Sequence, residues 1–296
     1  MLSLDRLAVL DLTIWLRSGE EAARRLQLTQ SSVSRGIHRA LDLFGLELCQ
    51  VDQDWQVRGP SERLRLLEME RLLHQHARWA GLAPLRIEGT YWSGPLLLKP
   101  EPVGWTGGRH LVVGVQAPLR LLRHRVIDAW LAGGPDWPEP DHPEFAVLPL
   151  CLMPIHQVVA PGHPLLGQLR RQGQLSWDDV TAFPSLALPS GAYPKVEASL
   201  QAIGLWSSPT QMHRYRRDRW EGLSEQELRV AYATVLSEQV AGPLVRLPLS
   251  LPVGSGEALV VLRDWAEQRP LLELAALLRR RLEPWALRHP ELEICP

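Results

Sequence analysis

Lysine is almost missing from this chain of 296 residues. Lys99 and Lys195 stand in a total of 32 basic residues, so nearly all the positive charge is arginine. That excess, like the 12 tryptophans, reads as compositional bias and not as chemistry. Cysteine is equally sparse: Cys49, Cys151 and Cys295 are odd in number and far apart, which argues against a disulfide framework and fits a reducing cytoplasm. Also absent are a GxSxG elbow, a phosphate-cradling glycine loop and a CxxC pair, while His74 with His76 and Asp141 with His142 lack metal-ligand spacing. No catalytic residue, metal or cofactor is therefore expected, and the chain does not read as an enzyme. Residues 1–16 lack the basic start and unbroken apolar run of a signal peptide, because Asp5, Arg6 and Asp11 interrupt them. The longest stretch without Asp, Glu, Lys or Arg, 145–169, is long enough to span a bilayer, but Pro149, Pro154, Pro161 and Pro164 divide it into what read as short buried strands and loops. A net charge of −1 gives no global attraction to nucleic acid or membrane, so any such binding rests on a local patch.

One patch qualifies. Ser18 with Glu21 forms a capping box that opens a short helix, with Ala22, Ala23 and Leu26 inward and Arg24 and Arg25 solvated. Thr29 caps a second helix after only a few linking residues. Val33, Ile37, Leu41 and Phe44 give that helix a core stripe, while Thr29, Gln30, Ser31, Ser34, Arg35, His38 and Arg39 make the opposite face polar and basic. From Ala22 to Leu41 there is no acid. A major groove admits one helix, and Gln, Ser and Arg read base edges there. The plainer reading of the same spacing is an amphipathic helix with a solvated charged face.

The run AARRLQLTQSSVSRGIHRAL, with Phe44, Gly45 and Leu48 beyond it, resembles the winged helix-turn-helix of LysR-type transcriptional regulators. Departures from the family pattern carry expectations of their own. Gly36 lies in the recognition helix where a longer polar residue is usual. The wing carries Asp52 and Asp54 where basic residues are common, and acids facing phosphate would repel it.

Leu7, Leu10 and Ile14 on a first helix, Leu4 to Leu16, complete a tri-helical core. Residues 62–80 form a long helix whose Leu66, Met69, Leu72 and Leu73 make a stripe that calls either for a partner helix or for packing against the rest of the chain. Beyond Gly81 to Pro84, short β-like runs alternate with helical segments, as in an α/β sheet domain. Strands are expected at Leu85–Ile87, Leu111–Val115, Phe145–Leu148, Gln157–Ala160, Ser185–Leu188, Met212–Tyr215, Val230–Val235 and Ala258–Leu262. Helices are expected at Leu119–Leu131, Pro194–Ile203, Ser224–Leu228 (with a Ser224–Glu227 capping box) and Leu271–Trp285. Their order, with PLRIEGTYWSGPLLL, WLAGGPDW, VVAPGHPLLG and LALPSGAYPKVEASLQAIG, resembles the effector domain of the same family, although KPEPVGWTGGRH replaces its first helix and Arg229 and Ala231 stand where glycines are usual.

The fold class read here is α + α/β: an N-terminal winged helix-turn-helix (1–60), a linker and dimerisation helix (61–80), and a two-lobed periplasmic-binding-protein-like α/β effector domain (85–290). Lobe I takes about 85–160 and 263–290, and lobe II about 161–262. For DNA, Gln30, Ser31, Ser34 and Arg35 are candidates for base edges, and Arg24, Thr29 and Arg39 for phosphate. For an effector, Thr90, Ser93, Gln116, Ser190 and Gly191 offer hydroxyls, an amide and backbone N–H groups suited to a small organic anion. Ordinary loop polars and caps are the alternative for those five. His163 reads as structural, and the basic run His213, Arg214, Arg216, Arg217, Arg219 as a solvated edge strand. The resemblance implies a cytoplasmic transcriptional regulator that binds a dyad-symmetric operator in double-stranded DNA as a homodimer or homotetramer, with RNA polymerase a further partner and no membrane. The alternative is a ligand-free protein-interaction module with weakened DNA binding.

Overall fold

A computed structural model describes residues 4–51, 54–186, 188–205, 214–216 and 228–296. Its elements run α1 (Leu4–Leu16), α2 (Gly19–Leu26), α3 (Gln30–Phe44), β1 (Glu47–Val51), β2 (Asp54–Arg58), α4 (Ser61–Trp79) and β3 (Leu85–Gly89). Next come α5 (Ser93–Leu97), β4 (Trp105–Gly107), α6 (Gln116–Arg123), β5 (Ala129–Gly133), β6 (Phe145–Val159), α7 (Pro164–Gln172), α8 (Trp177–Thr181) and α9 (Pro194–Ala202). The chain closes with β7 (Ala231–Ala233), β8 (Val245–Leu262), α10 (Arg269–Ala286) and β9 (Glu293–Ile294). Two compact units divide it: residues 1–88, 101–109 and 117–130 form the first, and 89–100, 110–116 and 131–296 the second.

In the first unit α1, α2 and α3 close a small core on Leu7, Leu10, Ala22, Ala23, Val33 and Leu41. The Ser18 hydroxyl accepts from the Glu21 amide to start α2, and Thr29 accepts from the Ser32 amide to start α3. Gly45, with φ +60°, ends α3 in the left-handed conformation that glycine adopts without penalty. β1 and β2 then pair antiparallel from Glu47↔Arg58 to Val51↔Asp54 as the wing. From Leu10 to Leu16, α1 is buried on every side, Asp11 and Thr13 included, because α4 and β3 cover the face the core leaves free. Asp11 accepts from Arg71 of α4 at 2.7 and 2.9 Å, and Trp15 donates to Glu88 of β3 at 2.7 Å. Arg78 of α4 is likewise bidentate on buried Asp128, at 2.7 and 2.9 Å.

α4 thus inverts the usual pattern. Its covered face is polar, with Arg71, His74, Gln75 and Arg78 buried beside Leu67, whereas Leu66, Met69 and Leu73 are 54, 62 and 49% exposed. The rest of the first unit leaves this stripe uncovered.

The second unit is built on two long antiparallel strands, β6 and β8, in register from Phe145↔Leu262 to Val159↔Val245. Here the structure corrects the expectation of separate strands at Phe145–Leu148 and Gln157–Ala160: β6 is continuous through both prolines. Irregularities between Pro149 and Cys151, and between Pro154 and His156, absorb the missing donors. β7 pairs with β6 at His156↔Ala233, and β9 at Cys151↔Ile294. α7, α8 and α9 share one apolar cluster with the far ends of these strands through Leu165, Val180, Val196 and Leu200. α10 buries Leu271, Leu274, Leu278 and Leu282.

Other expectations are corrected too. The helix proposed for Leu119–Leu131 stops at Arg123; Arg125 takes φ +58°, and Ala129–Gly133 is a wholly buried strand whose apolar run mimicked helix continuation. Leu111–Val115 contributes only bridges at Val112, and Ser185–Leu188 one bridge, Ser185↔Val230. The capping box at Ser224, and Met212 and His213 of the strand expected at Met212–Tyr215, lie outside the described residues.

Candidate nucleic-acid interface and effector pocket

The outer face of α3 presents Gln30, Ser31, Ser34, Arg35, His38 and Arg39 to solvent, with Thr29 exposed at its cap. Val33, Ala40 and Leu41 face inward, so the helical period separates readers from core. Thr29 Oγ1 lies 3.0 and 2.9 Å from the hydroxyls of Ser31 and Ser32, a hydroxyl cluster at a helix N-terminus suited to a phosphate oxygen. Arg35 reaches back to Ser32 at 3.3 Å, and His38 Nδ1 donates to the Ser34 carbonyl at 2.7 Å. Arg39 is exposed. Arg24 is exposed but grips Glu21 through two bonds of 2.7 and 2.9 Å, which hold that carboxyl near pKa 2. An exposed pair of this kind is weak.

Arg25 and two departures from the family pattern sit differently from expectation. Arg25 is not solvated: it donates to Glu21 at 2.9 Å and to the Gly107 carbonyl at 2.6 Å, and lies 5.6 Å from the Trp15 ring centre. Gly36 does not face outward. A Cβ there would meet Val9 Cγ1 at 3.2 Å, so the glycine lets α3 approach α1. Asp54 is not a free acid on the wing, since Arg17 and Arg120 each hold it at 2.5 Å. Asp52 lies outside the described residues.

The second unit holds the residues predicted for an effector, and most of their polar groups are already engaged. Thr90 and Ser93 are buried; their hydroxyls lie 2.6 Å apart, and Thr90 Oγ1 accepts from the Ser93 amide at 3.1 Å. Gln116 is exposed at the start of α6. Ser190 and Gly191 are exposed, but the Gly191 amide donates to Glu197 at 3.1 Å. The α9 amides of Lys195 and Val196 donate to the buried Asp136 carboxylate at 2.6 and 3.4 Å. The anion position at this helix start is filled by the chain's own carboxylates.

The cavity is next door. A space of about 70 Å³ is lined by Tyr91, Trp92, Tyr193, Tyr232, Ile155 and Ser255, among others, and by none of the five predicted residues. Tyr215, the last of the chain's four tyrosines, stacks on Tyr91 at 3.7 Å. Trp92 donates to Glu257 at 2.7 Å. Burial outweighs the bonds from Trp92 and Ser93 and pushes this carboxyl up to about 8, so it is mainly protonated at neutral pH. Sequence reasoning missed this cluster, because Tyr91, Tyr193, Tyr215 and Tyr232 lie far apart along the chain and are brought together by tertiary structure. His163 is structural as expected: Nδ1 accepts from the Leu165 amide and Nε2 donates to the Leu228 carbonyl. Arg214 and Arg216 are described, while the rest of that basic run lies outside the described residues. Among the described residues no group of three or more His, Cys, Asp or Glu is placed to hold a metal ion, and no helix is long and apolar enough to cross a membrane.

No protein-family model matches the chain, and no curated protein matches it in sequence. Solved structures do. Full-length OxyR from Pseudomonas aeruginosa superposes with a TM-score of 0.54 at 17% identity, over 94% of this chain and 98% of that one. The chain has the LysR-type regulator fold. OxyR from Corynebacterium glutamicum (TM-score 0.53, 16% identity, 97 and 93% covered) and ArgP from Mycobacterium tuberculosis (0.51, 17%, 96 and 98%) agree over nearly the whole length. The LysR-type architecture thus includes both the helix-turn-helix and the α/β part, as the sequence motifs implied.

Proposed function

We propose that this LysR-type chain is a sequence-specific transcriptional regulator acting in the cytoplasm as a dimer or tetramer, with α3 in the major groove. The observation that carries the reading is the outer face of α3: hydroxyls at its cap, then Gln30, Ser34, Arg35 and Arg39, exposed and without an acid among them. Gln30, Ser31, Ser34 and Arg35 serve base edges; Thr29, Arg39 and, after release from Glu21, Arg24 serve phosphate. The exposed Leu66, Met69 and Leu73 of α4 supply the surface for a second copy, which brings a second recognition helix to the next major groove. The packing of Gly36 toward Val9 and the pairing of Asp54 with Arg17 and Arg120 weigh against an interaction module with weakened DNA binding.

The effector reading changes in kind. With the α9 amides satisfied by Asp136, the Gly191 amide by Glu197, and the cavity walled by tyrosine and tryptophan, the second unit suits an uncharged planar ligand better than a small anion. Such a ligand acts through unequal affinity for two arrangements of the oligomer, which differ in DNA geometry or polymerase contact.

Selection of genomic DNA fragments by the purified full chain at near-physiological salt tests the reading, with Arg35→Ala as the control. A dyad-symmetric motif that the variant no longer enriches is the expected result. Weak binding without sequence preference, shared by the variant, overturns it.

A further inference from the structure

A second cavity lies wholly within the first unit. It has a volume of about 110 Å³ and is enclosed by the wing strand β2, α1, α4 and residues 120–126. Its lining combines apolar Ile14, Trp55, Leu64, Leu67 and Val126 with polar Arg71, Arg120 and His124. Dry cavities in proteins are apolar; a space of this size with polar groups converging on it holds water or a ligand.

The ion pairs around it are shared ones. Asp54 is shared by Arg17 and Arg120, each at 2.5 Å, and Asp11 by Arg71 at 2.7 Å and Arg86 at 3.8 Å. Among the described residues each of these carboxylates is therefore shared by two guanidinium groups, and of the four arginines Arg71 and Arg120 line the cavity. Glu68, exposed, lines it too. Burial, and after it Arg78, lowers the pKa of Arg86 to about 10. Burial, with Arg71 next in effect, also pushes His124 below the ordinary imidazole range, so it enters the site as a neutral hydrogen-bonding group.

We infer that this cavity binds a small organic anion with a planar apolar body, such as an aromatic carboxylate, its acid group toward Arg71, Arg120 and His124 and its ring against Trp55 and Leu67. The site is separate in residues and in ligand class from the tyrosine-walled pocket of the second unit. Because Trp55 and Val57 belong to the wing, and Ile14 to the helix behind α3, occupancy sets the wing against α1 and α4 without passing through the effector pocket.

The test uses the full chain labelled with 5-fluorotryptophan and fluorine NMR, with Trp55→Phe assigning the Trp55 resonance. Phenylacetate is titrated beside phenylacetamide, its uncharged counterpart. The expected result is a saturable shift of Trp55 with phenylacetate and binding at least tenfold weaker with the amide. His124→Trp and Val57→Trp, which fill the space from two different elements, should abolish the shift in whichever variant folds. No Trp55 response up to millimolar phenylacetate, equal binding of the amide, or a shift that persists in a folded filled variant overturns the inference. A chain that selects a dyad while Trp55 ignores phenylacetate refutes this site alone; a Trp55 response in a chain that selects no DNA refutes only the regulatory reading.

Discussion

Gly36 and Glu257 illustrate how one residue's role depends on what packs against it. At Gly36 the nearest obstacle is Val9 Cγ1, 3.2 Å from the place of a Cβ. Gly36→Leu should therefore overpack the α1–α3 contact and cost about 1–3 kcal/mol in urea unfolding, with the outer face of α3 unchanged. Glu257 holds its proton in the folded chain up to about pH 8, whereas an ordinary glutamate releases it near 4.5. Between those values the folded state binds more protons than the unfolded state, so this group's stabilisation is complete below the lower value and is lost as pH rises to the upper one. The slope is about 1.4 kcal/mol per pH unit. Unfolding free energies measured from pH 5 to 9 should show that decline, and Glu257→Gln should flatten it. On the DNA face, Arg39→Ala should weaken binding to all sequences alike and reduce the dependence of log affinity on log salt by about one phosphate contact, read from binding isotherms at several salt concentrations.

At the scale of elements, α4 has two faces with opposite tasks. Its buried face ties α1 to the rest of the unit through Arg71 and Asp11, both nearly inaccessible. Asp11→Ala leaves Arg71 and Arg86 buried without their shared carboxylate and should cost about 3–5 kcal/mol, visible as a lowered thermal midpoint. The exposed face predicts the reverse signature. Met69→Glu with Leu73→Glu should leave the folded protomer's secondary structure intact and lower the mass measured by light scattering, because both side chains are exposed in the protomer. Unchanged mass would remove α4 from the oligomer interface.

For the whole molecule, the proposed pairing of two recognition helices constrains the operator. Half-sites on one face of DNA are separated by whole helical turns, so insertion of about half a turn, roughly five base pairs, between them should abolish high-affinity binding while leaving each half-site weakly bound. Equal affinity for the spaced and unspaced sites would mean that protomers bind independently.

The sequence by itself determined the three helices of the helix-turn-helix core and where they start and stop. Ser18, Thr29 and Gly45 act through neighbours within a turn, and α1 follows from the local period alone. The recognition face was legible for the same reason, since polar and apolar residues segregate at 3.6-residue spacing within one helix. Tertiary structure alone decided the rest. Whether Asp54 stands free or paired depends on Arg17 and Arg120, which are remote in sequence, and whether Gly36 faces outward depends on Val9. The predicted anion site was filled by Asp136, 59 residues from the Lys195 amide it holds, and both cavities are bounded by side chains from several separate elements. Local free energies act along the chain and leave a periodic trace in it; charge pairing and cavities arise between distant segments and leave none.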